Sequence, residues 1–190
     1  MSDVVTALDG ATFNGTIAVE DAGLTGMITL RGDFASTSFQ NAVTGVSGVN
    51  FPGKGEVNSV GDRGLAWMSP DELLMIVPYD QTNAALAEIT ENLGEEHHLA
   101  VNVSDARAVF RLRGNGNVIR EVLAKLTPAD LRVAALPTGR VRRTRLSQVP
   151  AAFWFSAEDE ATLICFRSVA EYVFGLLRQS AAEGSEIGYF

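Results

Sequence analysis

The chain has 190 residues, 46% hydrophobic and 20% charged, and a formal net charge of −8. That composition is globular, and a chain of this length buries roughly 70% of the surface its unfolded form exposes, so no disulfide or metal staple is needed. The acidic balance repels phosphate backbones and argues against nucleic acid as a partner.

The start, Met1–Val5, lacks the basic-then-apolar pattern of a secretion signal. No window reaches the roughly 18 continuous apolar residues of a membrane span, and the chain is read as cytoplasmic. Met1 to Thr25 show no clear period and read as an N-terminal arm. Gly26 to Gly32 alternate and are β-rich, a strand. Ser36 or Thr37 caps a short helix over Phe39, Ala42 and Val43. Leu65–Met68 and Leu73–Val77 flank a Ser69-Pro70-Asp71-Glu72 turn and make a hairpin. Asp80 then caps a helix with Ala85, Leu86, Ile89 and Leu93 on one face. Leu99 to Ser104 form an extra strand linking two halves.

The second half repeats the plan. Ala108 to Gly114 is a strand, and Val118, Ile119, Val122, Leu123 and Leu126 line one helix face. Thr127-Pro128 ends that helix, and Pro137 and Gly139 lead to a basic strand, Arg140 to Arg145. A hairpin follows from Ala152–Phe155 to the apolar run ending at Phe166. Ser168 and Glu171 have capping-box spacing before a last helix carrying Val169, Tyr172, Val173, Leu176 and Leu177. Leu30-Arg31-Gly32 returns as Leu112-Arg113-Gly114, offset by 82, and Trp67-Met68-Ser69 as Trp154-Phe155-Ser156, offset by 87. The fold expected is α+β, with two related strand-helix-hairpin-helix halves packed together as one compact unit. Its parts are an arm (1–25), a first half (26–98) and a second half (99–190), each half covering apolar sheet surface that the other could not bury alone.

No residues assemble a catalytic, cofactor-binding or metal site. Gly114-Asn115-Gly116 would need a third glycine at position 119 for a dinucleotide fingerprint, and Ile119 stands there. His97 and His98 are neighbours that point apart, in a solvated loop. Arg31-Gly32-Asp33 is a strand end with a turn glycine. Asp71-Glu72 and Glu158-Asp159-Glu160 sit at wet hairpin turns. Cys165, the single cysteine, lies in an apolar run and acts as a small hydrophobe. Arg140, Arg142, Arg143 and Arg145 are different: on a strand they place guanidinium groups on both faces. Three readings stand: an edge strand protected by charge, a docking strip for an acidic partner, or a site for an anionic ligand.

Several stretches, in order, resemble the gamma subunit of heterotetrameric sarcosine oxidase. They are Leu30-Arg31-Gly32-Asp33, the Leu65–Pro78 block, and Val103-Ser104-Asp105-Ala106-Arg107. Leu112-Arg113-Gly114, Arg143-Thr144-Arg145-Leu146 and Phe166-Arg167-Ser168-Val169-Ala170-Glu171-Tyr172 follow. The resemblance implies a ferredoxin-like, T-protein-like duplication, similar to the folate-binding protein of glycine cleavage. It implies a non-catalytic chain assembled with alpha, beta and delta subunits. That complex oxidatively demethylates sarcosine to glycine, passes the one-carbon unit to tetrahydrofolate and forms hydrogen peroxide. FAD, FMN, NAD and zinc are then expected on the partner subunits, with none on this chain. The alternative is a stand-alone folate-binding aminomethyltransferase or assembly factor of the T-protein type.

Overall fold

The computed structural model describes residues 4–190. Two compact units emerge. One is contiguous, Thr25–Asp105; the other joins the described residues up to Leu24 to Ala106–Phe190.

The contiguous unit holds β3 (Thr25–Arg31), α1 (Thr37–Ser47), β4 (Val57–Val60), β5 (Arg63–Ser69), β6 (Glu72–Pro78), α2 (Thr82–Leu93) and β7 (Leu99–Asn102). Its sheet is antiparallel, in the order β4-β5-β6-β3-β7. Both helices cover one face. Phe39, Val43 and Val46 of α1 and Ala85, Ile89 and Leu93 of α2 pack with Ile28, Leu30, Leu73 and Met75. Ser36 starts α1 as expected, its hydroxyl accepting from the Phe39 amide at 3.2 Å. Asp80 does not cap α2: a 3-10 turn, Tyr79–Gln81, runs into the helix, and no side chain accepts from its first amides.

The second unit holds β1 (Thr12–Asn14), β2 (Ala18–Asp21), β8 (Arg107–Arg113), α3 (Gly116–Ala124), β9 (Val141–Leu146), β10 (Val149–Ala157), β11 (Glu160–Phe166) and α4 (Ala170–Ser180). Its sheet order is β1-β2-β8-β11-β10-β9. Ile119, Val122, Leu123, Val173 and Leu177 cover Phe110, Leu112, Phe153, Phe155 and Leu163. The capping box expected at Ser168 and Glu171 does not form. Residues 167–169 are a 3-10 turn, and α4 starts without a side-chain cap.

Both sheets bury apolar side chains on the face away from the helices as well. Met27, Ala66 and Leu74 are buried there in one, and Val109, Ala152, Trp154 and Ile164 in the other. Burial on two faces explains why Leu73–Val77 and Ala152–Phe155 read as continuous apolar runs.

The arm expected over residues 1–25 is different. Its first three residues lie outside the described ones, and the rest supplies β1 and β2 to the second unit's sheet. Ile17 and Val19 are fully buried in that core. Asp21 accepts from the Thr6 hydroxyl and from the Leu8 and Gly10 amides, fastening the lead-in. The expected boundary at 98/99 also moves, because β7 pairs with β3.

The leading strands of the two repeats are therefore exchanged. β2 runs into β3 but pairs with β8, and β7 runs into β8 but pairs with β3. The registers correspond: Ala18 faces Arg113 as Leu99 faces Arg31, and Asp21 faces Phe110 as Asn102 faces Ile28.

Candidate functional site

The repeated Leu-Arg-Gly motif resolves into three structural jobs. Leu30 and Leu112 are fully buried. Arg31 pairs with Glu72 at 3.0 Å, and Arg113 with Glu160 at 2.9 Å; both glutamates open the return strand of a hairpin. Gly32 has no room for a Cβ, which would stand 2.5 Å from the Phe39 ring; Gly114 takes φ +150° and faces Ile17. These arginines hold sheet ends together at exposed positions, where water and salt screen an ion pair and it contributes little to stability.

β9 is one of the two edge strands of the six-stranded sheet, β1 being the other. Arg143 and Arg145 are exposed on one face, opposite Ala152 and Pro150. Arg142 lies on the core face opposite Phe153 and donates to the Ala135 carbonyl at 3.1 Å, while its Nε is buried without a hydrogen-bond acceptor. Arg140 is exposed just ahead of the strand. The four arginines are thus one basic strip along an edge, with Arg142 turned inward.

The sequence gives no sign of two buried charges on α3. Arg120 is 5% exposed, donates to the Leu131 and Leu136 carbonyls at 2.6 and 3.0 Å, and lies 4.0 Å from the Phe155 ring centroid. Burial lowers its pKa, yet a guanidinium stays charged. It pins the connector between α3 and β9. Glu121, 7% exposed, accepts from the backbone amides of Ile187, Gly188 and Tyr189. Only the Glu121–Lys125 pair, 3.5 Å apart at i,i+4 spacing, was legible in the sequence; the backbone groups that Arg120 and Glu121 engage lie outside helical spacing.

Those amides, the Ile187 amide foremost, hold the Glu121 carboxyl below the usual glutamate range. Because the folded pKa is depressed, the fastening is complete above the unfolded value of about 4.3 and is lost as pH falls through the folded one. The Ile187, Gly188 and Tyr189 amide resonances are expected to titrate together at a midpoint below about 4.3. Glu121→Gln should shift the same three resonances at neutral pH. Amides that move at a normal carboxylate midpoint would refute the clamp.

His97 and His98 do not converge. His97 is exposed, and His98 contacts the Glu96 carbonyl at 2.7 Å through Nδ1. Both line an open cleft of 680 Å³ with Gly32, Ser36, Asp71 and Leu99. Among the described residues, no three His, Cys, Asp or Glu side chains are grouped to hold a metal ion. The Cys165 thiol is 3% exposed, and burial pushes its pKa up to about 12, far from the thiolate that a nucleophile requires. Asp71 is exposed as a wet turn carboxylate would be, but the Glu72 side chain is only 15% exposed, and both engage Arg31. No described helix is long and apolar enough to cross a membrane.

The architecture defines a duplicated α+β scaffold of the T-protein kind. An aminomethyltransferase T of the glycine cleavage system from Bartonella henselae superposes with a TM-score of 0.60 at 14% identity, over 84% of this chain and 45% of the other. The sarcosine oxidase gamma subunit family profile matches residues 31–183, and the chain belongs to that family. A sarcosine oxidase subunit gamma from Corynebacterium sp. (strain U-96) is 28% identical over 94% of this chain and 87% of its own length. A chain from the heterotetrameric sarcosine oxidase of Corynebacterium sp. U-96, in complex with pyrrole 2-carboxylate, superposes with a TM-score of 0.78. The identity there is 27%, over 90% of this chain and 87% of the other.

Proposed function

We propose that this chain is the non-catalytic gamma subunit of a heterotetrameric sarcosine oxidase, assembled in the cytoplasm with alpha, beta and delta subunits. The complex oxidatively demethylates sarcosine to glycine, transfers the one-carbon unit to tetrahydrofolate and forms hydrogen peroxide. FAD, FMN, NAD and zinc reside on the partner chains. The observation that carries this reading is the match, along nearly the whole chain, to a chain of a solved heterotetramer. The local chemistry agrees with it. The motifs shared by the two repeats do structural work, which supports the reading.

Of the basic strip of Arg140, Arg142, Arg143 and Arg145, the exposed Arg140, Arg143 and Arg145 are the charged part of the partner interface, and Arg142, turned inward, is not. On a chain of net charge −8 the strip is the segment suited to an acidic surface. Co-expression with the other three subunits tests the reading. The chain is expected to co-purify with flavin-bearing partners, and alone to bind no flavin and oxidise no sarcosine. Arg143→Glu combined with Arg145→Glu should slow association most at low salt. Flavin or sarcosine turnover on the lone chain would contradict the proposal.

A further inference from the structure

The two repeats differ at one edge. In the six-stranded sheet, β2 is covered by β1, with Phe13 opposite Val19 and packed on the core. β7 holds the corresponding place in the five-stranded sheet, since Leu99–Asn102 face β3 in the register in which Ala18–Asp21 face β8. Among the described residues, no strand covers β7. The residues spaced like β1, 93–95, close α2 instead, Leu93 being its last residue.

Three features of this edge mark a missing neighbour. Leu99 and Val101 stand 47% and 41% exposed, on the sheet face shared with Arg31 and Thr29. Ala100, on the core face, takes the position of Val19, packing against the core but only half-buried. The cleft of 680 Å³ lies at the start of this edge, lined by Gly32, His98 and Leu99, and His98 holds the register place that Ile17 takes beside Gly114 in the other repeat. An uncovered edge strand carrying apolar side chains is a template for strand addition.

We propose that β7 accepts an extended segment of another chain of the complex as a sixth strand, antiparallel to it, with a large apolar side chain opposite Ala100. The first repeat shows the pairing, Phe13 on Val19, and the small Ala100 calls for bulk from the incoming strand. A second copy of this chain fits poorly. Pairing β7 with itself about Ala100 brings alanine onto alanine and leaves the core-side gap open. The inference rests on the chain being a subunit of a larger complex.

Amide hydrogen exchange on the co-purified complex and on the lone chain tests it. Amides within 99–102 are expected to exchange about tenfold more slowly in the complex, the scale of one added hydrogen bond. Leu99→Lys combined with Val101→Lys should leave the unfolding midpoint of the lone chain unchanged, because both side chains are exposed, and should reduce co-purification. An intact complex with unchanged exchange at 99–102 overturns the added strand while leaving the subunit reading in place. A lone chain that dimerises, and stops doing so with the two lysines, overturns it in favour of self-pairing. Failure of the unsubstituted chain to join any partner removes both.

Discussion

Phe153→Ala is expected to destabilise the protein by about 3–5 kcal/mol. Phe153 sits in the centre of β10, fully buried, on the face covered by α3 and α4. Its removal forfeits the transfer free energy of the ring and leaves a cavity that neighbouring strands, held in register on both sides, cannot close. Domains have about 5–15 kcal/mol in total, so the variant should lose much of its cooperative urea transition. Phe166→Ala is the control. Phe166 is 45% exposed and stacks under the Arg107 guanidinium at 4.1 Å, a contribution of about 0.5–1 kcal/mol. Equal midpoint shifts for the two variants would mean that the core described around Phe153 is not the stabilising one.

Deleting residues 1–21 is expected to unfold one unit and spare the other. The deletion removes Ile17 and Val19 from the second unit's core and uncovers the edge of β8 along Phe110–Arg113. Two buried aliphatic side chains contribute about 1.5–3 kcal/mol each, before the lost ladder of β2 on β8 is added. The contiguous unit contains none of these residues. The two tryptophans separate the outcomes, Trp67 lying in one unit and Trp154 in the other. With Trp67→Phe as background, the buried Trp154 should shift its emission to the red in the deleted chain. With Trp154→Phe, Trp67 emission should stay as in the full chain. A deleted chain with native Trp154 emission would show that β1 and β2 are dispensable.

Local pattern carried far into this fold, and failed where distant residues decide. The strand-helix-hairpin-helix order was legible because apolar runs and turn residues alternate at ordinary spacing. The Leu-Arg-Gly repeat was a true correspondence: Arg31 and Arg113 both end a strand and face the glutamate that opens the next hairpin strand. The Trp-Met-Ser and Trp-Phe-Ser match is one residue out of structural register. Trp67 faces Leu73 before one bulge, and Phe155, not Trp154, faces Ala161 before the other. Trp67 and Phe155 accordingly point to the helix-covered face, and Trp154 to the opposite one. β2 was unreadable because Ala18-Val19-Glu20-Asp21 is short, and its partner strand lies in the other repeat. Of the candidate site, the arginine strip was visible as composition. The inward turn of Arg142 and the roles of Arg120 and Glu121 were not, since each depends on backbone groups brought close by folding.

The exchange of leading strands sets an order of events on the ribosome. Val19 pairs with Leu112, 93 residues downstream, whereas β3, β5 and β6 find their partners within the contiguous unit. At about 5–20 residues per second, the nascent chain carries β2 without β8 for roughly 5–20 s. During that interval Ile17 and Val19 lie open to other chains. A slow final phase of maturation, with rescue by holdase chaperones, follows from the placement of β2.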